Sequence, residues 1–230
     1  MKTLKLALCA AAASMLMTGV AAAQDGGPSI AFNVGAASDY IFRGVSQSDQ
    51  EPVVFGGADV TAGKFYAGVW ASSLDYLNST DAEIDYYFGV KPTFGPISAD
   101  FAAIYYTYVD QPEGADYNYW EFKAAASVPV GAGSIGTALY VSPDYFGAGV
   151  KETAYYEVNG SYPVMDKLAL SATLGRLDYK GNGDYTTWNI GGTYALTDNL
   201  AIDLRYADTS RHEFGDYYEE SFVATLKATF

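Results

Sequence analysis

The sequence predicts an all-β fold, a transmembrane antiparallel β-barrel of about twelve strands that follows a cleaved signal peptide. Three observations carry this expectation. The last segment alternates strictly, with Phe222, Ala224, Leu226, Ala228 and Phe230 on one face and Val223, Thr225, Lys227 and Thr229 on the other, the period-two pattern of a strand. The first residues read as an export signal. The connections between alternating segments are short and long by turns, which two packed sheets have no reason to do.

At the start, Lys2 and Lys5 precede an apolar stretch from Leu6 to Val20, closed by Ala21, Ala22 and Ala23. A basic region, an apolar core and a small-residue site make a secretory signal, with cleavage after Ala23. The expected division is residues 1–23 as signal peptide and 24–230 as barrel. Cys9, the single cysteine, lies inside the apolar core, and Leu8 before it is too bulky for a lipoprotein site. The mature chain therefore lacks a thiol, which removes disulfides, thiolate metal sites and a cysteine nucleophile.

Strand 1 is expected over 29–43, with Ile30, Phe32, Val34, Ala36, Tyr40 and Phe42 outward and Asn33, Asp39 and Arg43 inward. Strand 2 (53–62) sets Val54, Ala58 and Val60 against Asp59. Strand 3 (65–73) sets Phe65, Ala67, Val69 and Ala71 against Tyr66, Trp70 and Ser72. Strand 4 (82–91) is the clearest, Ile84, Tyr86, Phe88 and Val90 opposing Glu83, Asp85, Tyr87 and Lys91. Strand 5 (97–108) turns Asp100, Tyr106 and Tyr108 inward, and strand 6 (118–128) turns Glu121 and Lys123 inward. Strand 7 (134–142) alternates without a clear phase. Strand 8 (152–162) faces Tyr155, Glu157 and Asn159 inward. Strands 9 (167–175), 10 (185–194) and 11 (200–207) continue with Leu168, Leu170 and Leu174, then Trp188, Ile190 and Tyr194, then Ile202, Leu204 and Tyr206 outward. Arg176, in phase with Leu174, is the exception on the apolar face.

Tight connections are expected near 63–64, 92–96, 129–133, 163–166 and 196–199, all rich in Gly, Pro, Asp or Asn. Longer polar loops fall near 44–52, 74–81, 109–117, 143–151, 176–184 and 208–217. Short turns at one end, long loops at the other and both chain ends on the turn side make the topology of an outer-membrane barrel. In hydrocarbon every backbone polar group must be paired, and only a closed sheet leaves no edge. Composition agrees. After the signal no apolar run reaches the ~20 residues of a helical span. The 27 acidic residues against 13 basic ones exclude the basic footprint that nucleic acid requires. With half its residues hydrophobic, the chain is not an acidic disordered one. The competing fold is a soluble secreted sandwich.

The stretch Ala37-Ser38-Asp39-Tyr40-Ile41-Phe42-Arg43-Gly44-Val45-Ser46-Gln47 resembles the opening signature of the TorF-like porin family of proteobacterial outer-membrane proteins. Tyr66 to Ser72, Glu83 to Tyr87 and Ser142 to Phe146 are similar to further pieces of that family. The resemblance implies a barrel in the bacterial outer membrane and supplies no catalytic residues.

The inward face carries Asp39, Asp59, Glu83, Asp85, Asp100, Glu121, Glu157 and Asp203 against Arg43, Lys91, Lys123, Arg205 and Lys227. In a pore these would set ion selectivity; in a closed lumen they would be internal salt bridges. Glu121 with Lys123, and Asp203 with Arg205, sit two apart and invite local pairing. Inward Tyr66, Trp70, Tyr87, Tyr106 and Tyr155 would narrow a twelve-strand cylinder to a slim or plugged channel. The expected function is passive diffusion of small, cationic polar solutes. The alternatives are a plugged structural or adhesive barrel and a barrel hydrolase. For the last, His212, the single histidine, could act as a base beside Glu213, but the strand pattern sets no serine next to it. Asp144 could join a carboxylate pair. Gly131-Ala132-Gly133 reads as a turn, not a phosphate loop, and the glycosylation sequon Asn78-Ser79-Thr80 has no bearing in a bacterial barrel. No enzyme, cofactor or metal is expected. Phe222, Leu226 and Phe230 read as an assembly signal for the barrel-assembly machinery. Membrane lipids and lipopolysaccharide are the remaining expected partners.

Overall fold

The computed structural model describes residues 27–146, 152–180 and 183–230, and the predicted signal segment 1–23 lies outside them. The alternating segments become twelve long strands: β1 (Ser29–Ala37), β2 (Val53–Ala62), β3 (Phe65–Ser73), β4 (Ala82–Val90), β5 (Ile97–Val109), β6 (Tyr119–Val130), β7 (Gly133–Ser142), β8 (Thr153–Met165), β9 (Leu168–Tyr179), β10 (Tyr185–Ala195), β11 (Leu200–Thr209) and β12 (Ser221–Thr229). Each is antiparallel to its neighbours in sequence, and β1 also pairs with β12 through Asn33↔Thr229 to Ala37↔Thr225. Phe230 continues the seam, its amide donating to Phe32 O at 2.8 Å and Phe32 N donating back at 3.0 Å. The sheet is thus a closed barrel without an edge.

Tight turns join β2 to β3, β6 to β7, β8 to β9 and β10 to β11. A slightly longer one between β4 and β5 carries the Thr93–Phe94 bridge. Gly63, Gly95 and Gly131 take positive φ there, the left-handed region that these turns demand. The six longer loops lie at the other end. The phase of β7, open in the sequence, is set by its register: Ala138, Tyr140 and Ser142 are buried inward, while Ile135 and Leu139 point out.

The outward face is apolar and exposed, from Ile30, Phe32 and Val34 through Phe88, Phe122 and Val158 to Leu174, Ile190 and Leu204. An apolar belt of this extent on a monomer marks a lipid-facing surface rather than a wet one. Tyr86, Tyr105 and Trp120 lie in one hydrogen-bonded row across β4, β5 and β6, near the loop end, as an aromatic girdle does. Charged side chains on the outward faces of the described strands are confined to Arg176, Asp178 and Asp208 at the loop end. Arg176 does not break the belt. It pairs with Asp178 at 2.7 Å and Asp184 at 3.2 Å, beyond the apolar rows.

The first strand departs from expectation. β1 stops at Ala37 instead of 43, and the chain turns into the lumen. There Ile41–Phe42 and Val45–Ser46 form a small hairpin of their own. Tyr40 and Phe42, assigned to the outward face by alternation, lie inside the barrel. Alternation continues through residue 43, but it belongs to a second, separate pair of strands.

Candidate functional site

The inward hairpin closes on a two-residue turn, with Arg43 at φ 51° and Gly44 at φ 85°. Two successive positive φ values match the hairpin turn whose twist suits its strands. Gly44 is required twice over, because a Cβ there would also overlap the side chain of Thr187. Asp39 organises the entry to the hairpin: its Oδ1 accepts from Ser46 Oγ at 2.7 Å and Ser48 Oγ at 2.9 Å. On the return, Gln47 N donates to Tyr40 O at 2.7 Å.

The hairpin crosses the lumen. Tyr40 lies edge-on to Trp70 of β3 and donates to Glu83 Oε1 of β4 at 2.8 Å. Phe42 meets Tyr106 of β5. Gly44 sits against Thr187 of β10 and Thr209 of β11, and Ser221 of β12 donates to Asp39 Oδ2 at 3.3 Å. Arg43 is the anchor, 3% exposed, with Nη2 donating to Glu121 Oε2 of β6 at 2.7 Å. Its guanidinium lies 4.9 Å from the ring centroid of Tyr140 on β7 and 4.4 Å from that of Tyr155 on β8, within the ~6 Å reach of a cation–π contact. Strands on every side of the barrel therefore hold the loop.

Beneath and beside it lies a charged interior. Glu83 and Asp85, two apart on β4, interact directly and are both 3% exposed. Asp85 Oδ1, Glu121 Oε1 and Arg43 Nη1 are buried without a hydrogen-bond partner among the described residues. Such atoms are costly to bury, and here they gather at the loop. Toward the turn end, Tyr87 donates to Asp59 Oδ1 at 2.7 Å, and Tyr66 donates to Asp100 Oδ1 at 2.8 Å. Lys123 pairs with Asp100 at 2.8 Å. Arg205 binds Asp203 at 3.1 Å, Asn189 at 2.7 Å and Ser171 at 2.9 Å. Glu157 accepts from Tyr155 at 3.0 Å and from Asn159 at 3.0 Å.

Of the two local pairs expected, Asp203–Arg205 forms. Glu121–Lys123 does not, because Arg43 from the loop takes Glu121 and leaves Lys123 to Asp100. Glycines make these long reaches fit. The ring of Tyr87 on β4 lies over Gly68 of β3 to reach Asp59 on β2. Arg205 on β11 lies over Gly191 of β10 to reach Ser171 on β9. Sequence reasoning missed these glycines as site residues. The signal was there as glycine midway along an alternating strand, which marks close approach of another group.

The His212–Glu213 pairing that a hydrolase would use is not formed. Glu213 pairs with Arg211 at 2.9 Å, and His212 Nε2 lies 2.7 Å from Asp208 Oδ1. That carboxylate contact pushes the His212 pKa up, and Arg211 pulls that of Glu213 down. Asp208, His212 and Glu220 bring potential ligand atoms within 4.8 Å of one another. They sit on the outward rim, where the Tyr206 hydroxyl also donates to Asp208 at 2.9 Å. Asp144 lies in the fourth long loop, between β7 and β8. Phe222, Leu226 and Phe230 all lie exposed on the lipid-facing side of β12 and its end.

At the loop end, above the hairpin, a cavity of about 770 Å³ opens among aromatic side chains. Its aromatic lining is Tyr76, Tyr117, Tyr145 and Phe146 together with Tyr179, Tyr185, Phe214, Tyr217 and Tyr218, and the two groups join where Tyr145 meets Tyr179 edge-on at 6.3 Å. Phe42 and Val45 of the hairpin form the floor, and Gln47, Asp49, Asp75 and Asn78 the polar edge.

A closed twelve-strand antiparallel barrel, apolar outside and charged within, is the porin-like fold of outer-membrane proteins. The chain belongs to Gcw_chp, a family of bacterial proteins of unknown function, whose model matches residues 21–230. Among solved structures, the NanC porin is 10% identical with a TM-score of 0.54, covering 87% of this chain and 98% of its own. An outer-membrane channel of Pseudomonas putida F1 is 11% identical with a TM-score of 0.52, covering 93% and 98%. A further porin, 17% identical with a TM-score of 0.42, aligns with 77% of this chain, which spans only 62% of that porin's length. No curated protein matches the sequence.

Proposed function

We propose that the chain is an outer-membrane porin, a non-catalytic channel for small polar solutes with a preference for cations, whose lumen is gated by the inward loop. The observation that carries this reading is the apolar skin around a charged interior. A barrel serving only as an anchor has no need of carboxylates and cations along its lumen. The acidic excess supports the cation preference, since Asp59, Glu83, Asp85 and Glu157 line the wall and acidic loops surround the mouth. Low-dielectric walls focus such a field. The two solved channels named above share the fold and lend the reading their architecture alone. The resemblance of residues 37–47 to the TorF-like signature supports membership of that porin group, and in this chain the stretch forms the inward hairpin.

The same hairpin favours a second reading, a permanently plugged barrel that serves the envelope structurally. Planar-bilayer recording on the refolded protein separates the two. The porin reading expects discrete conductance steps and a cation-selective reversal potential across a salt gradient. Anion selectivity would overturn the electrostatic argument, and no conductance would favour the plugged barrel.

Export completes the proposal. The signal peptide is removed after Ala23, so intact-mass measurement of the outer-membrane form should find Gln24 first. The strand carrying Phe222, Leu226 and Phe230 is read by the assembly machinery, and the belt then rests against lipid and lipopolysaccharide.

A further inference from the structure

The aromatic cavity at the loop end takes no part in the closure described above, except that the hairpin forms its floor. Its aromatic lining comes from four loops and two strand ends: Tyr76 from the second long loop, Tyr117 from the third, Tyr145 and Phe146 from the fourth, Phe214, Tyr217 and Tyr218 from the sixth, and Tyr179 and Tyr185 from the ends of β9 and β10. The rings brace one another, with Tyr145 and Tyr179 in edge contact at 6.3 Å. Tyr76 packs edge-on to Tyr117 and Phe146, with centroids 6.2 Å apart in both cases. Tyr218 meets Tyr185 and Phe214, both at 5.4 Å. A cavity lined by this many rings offers ring faces, which carry negative quadrupole charge.

Among the described residues, the charged side chains lining the slot are Asp49 and Asp75, with no lysine or arginine. One ring face at its edge already holds a cation: the Arg211 guanidinium lies 5.3 Å from the Phe214 centroid, neutralised by Glu213. Ring faces, acids and apolar Val45, Leu77 and Leu177 together select positive charge on a body that avoids water. An anion of the same size would meet repulsion from Asp49 and Asp75.

We propose that this slot binds an organic cation with an apolar body, a quaternary ammonium or an aralkylammonium. Its role as the entry site of a channel rests on the porin reading; the binding itself does not. The floor residues Phe42 and Val45 flank Arg43 and Gly44, so an occupant would touch the hairpin that crosses the lumen.

Isothermal titration of the refolded protein in detergent micelles tests this with benzyltrimethylammonium as probe. Benzenesulfonate and glucose serve as comparators. The cation should bind at least about tenfold more tightly than either. Tyr217→Leu, which keeps apolar volume and removes the ring face, should weaken it about tenfold, and Tyr217→Phe should retain it. Heat-modifiable mobility on gels checks that each variant folds. Equal affinity for cation and anion, a preference for glucose, or an unchanged Tyr217→Leu variant would each overturn the proposal. Binding without conductance in bilayers would sink the porin reading alone, and conductance without binding would sink this one alone.

Discussion

Removing the guanidinium of Arg43 should release the loop from the lumen. Arg43 and Glu121 are 3% and 1% exposed and meet at 2.7 Å. Arg43→Ala leaves the Glu121 carboxylate buried and uncompensated whenever the loop is in place, a change that costs about 3–5 kcal/mol. With the loop displaced, the carboxylate reaches water and the penalty disappears. The ring contacts of Arg43 at 4.4, 4.6 and 4.9 Å overlap with the ion pair and do not add to it in full. At about 1.4 kcal/mol per decade, the equilibrium between inserted and displaced loop should shift by roughly two to three and a half orders of magnitude. Single-channel recording in planar bilayers reads this as longer and more frequent open dwells. Arg43→Ala combined with Glu121→Gln removes the stranded charge and should restore much of the closed time. An Arg43→Ala protein with normal folded yield and wild-type dwell times would refute the idea that this pair holds the loop.

Gly44→Val should act like Arg43→Ala, since the turn needs φ 85° and Thr187 occupies the space of a side chain; a wild-type conductance trace would count against it. Glu83→Gln with Asp85→Asn removes two buried wall carboxylates and should move the reversal potential in a salt gradient toward zero, whereas unchanged selectivity would relocate the filter. Replacing Phe230 by Asp, at the seam with Phe32 and on the lipid face, should reduce the heat-modifiable folded form in membranes. His212, the single histidine, should titrate above its ordinary value by NMR because Asp208 Oδ1, 2.7 Å away, accepts a hydrogen bond from the protonated Nε2. Asp208→Asn should bring it down. A raised folded-state pKa means the contact stabilises the loop at acidic pH and is lost as pH climbs through that raised value.

Period-two alternation was enough to find the twelve strands and the faces of all but β7 and the end of the first, because one face had to meet lipid and the other could not. From Glu83 to Val90 each residue in turn announces its side, and the structure follows. The turns were legible for the same reason, since Gly63, Gly95 and Gly131 stand where the backbone needs left-handed φ. Local chemistry could not say where the chain goes after Ala37. Residues 38–43 alternate as well as those before them, and a strand pointing into a lumen looks the same in sequence as one climbing out of it. What turns it inward is the combined hold of groups far apart in the chain: Glu83, Glu121, Tyr140, Tyr155, Thr187 and Thr209, none of which signals its partner through spacing. Pairing followed the same rule. Asp203 finds Arg205 because strand geometry puts them side by side, whereas Glu121 gives up the nearby Lys123 for an arginine seventy-eight residues away, which only the closed barrel brings within reach.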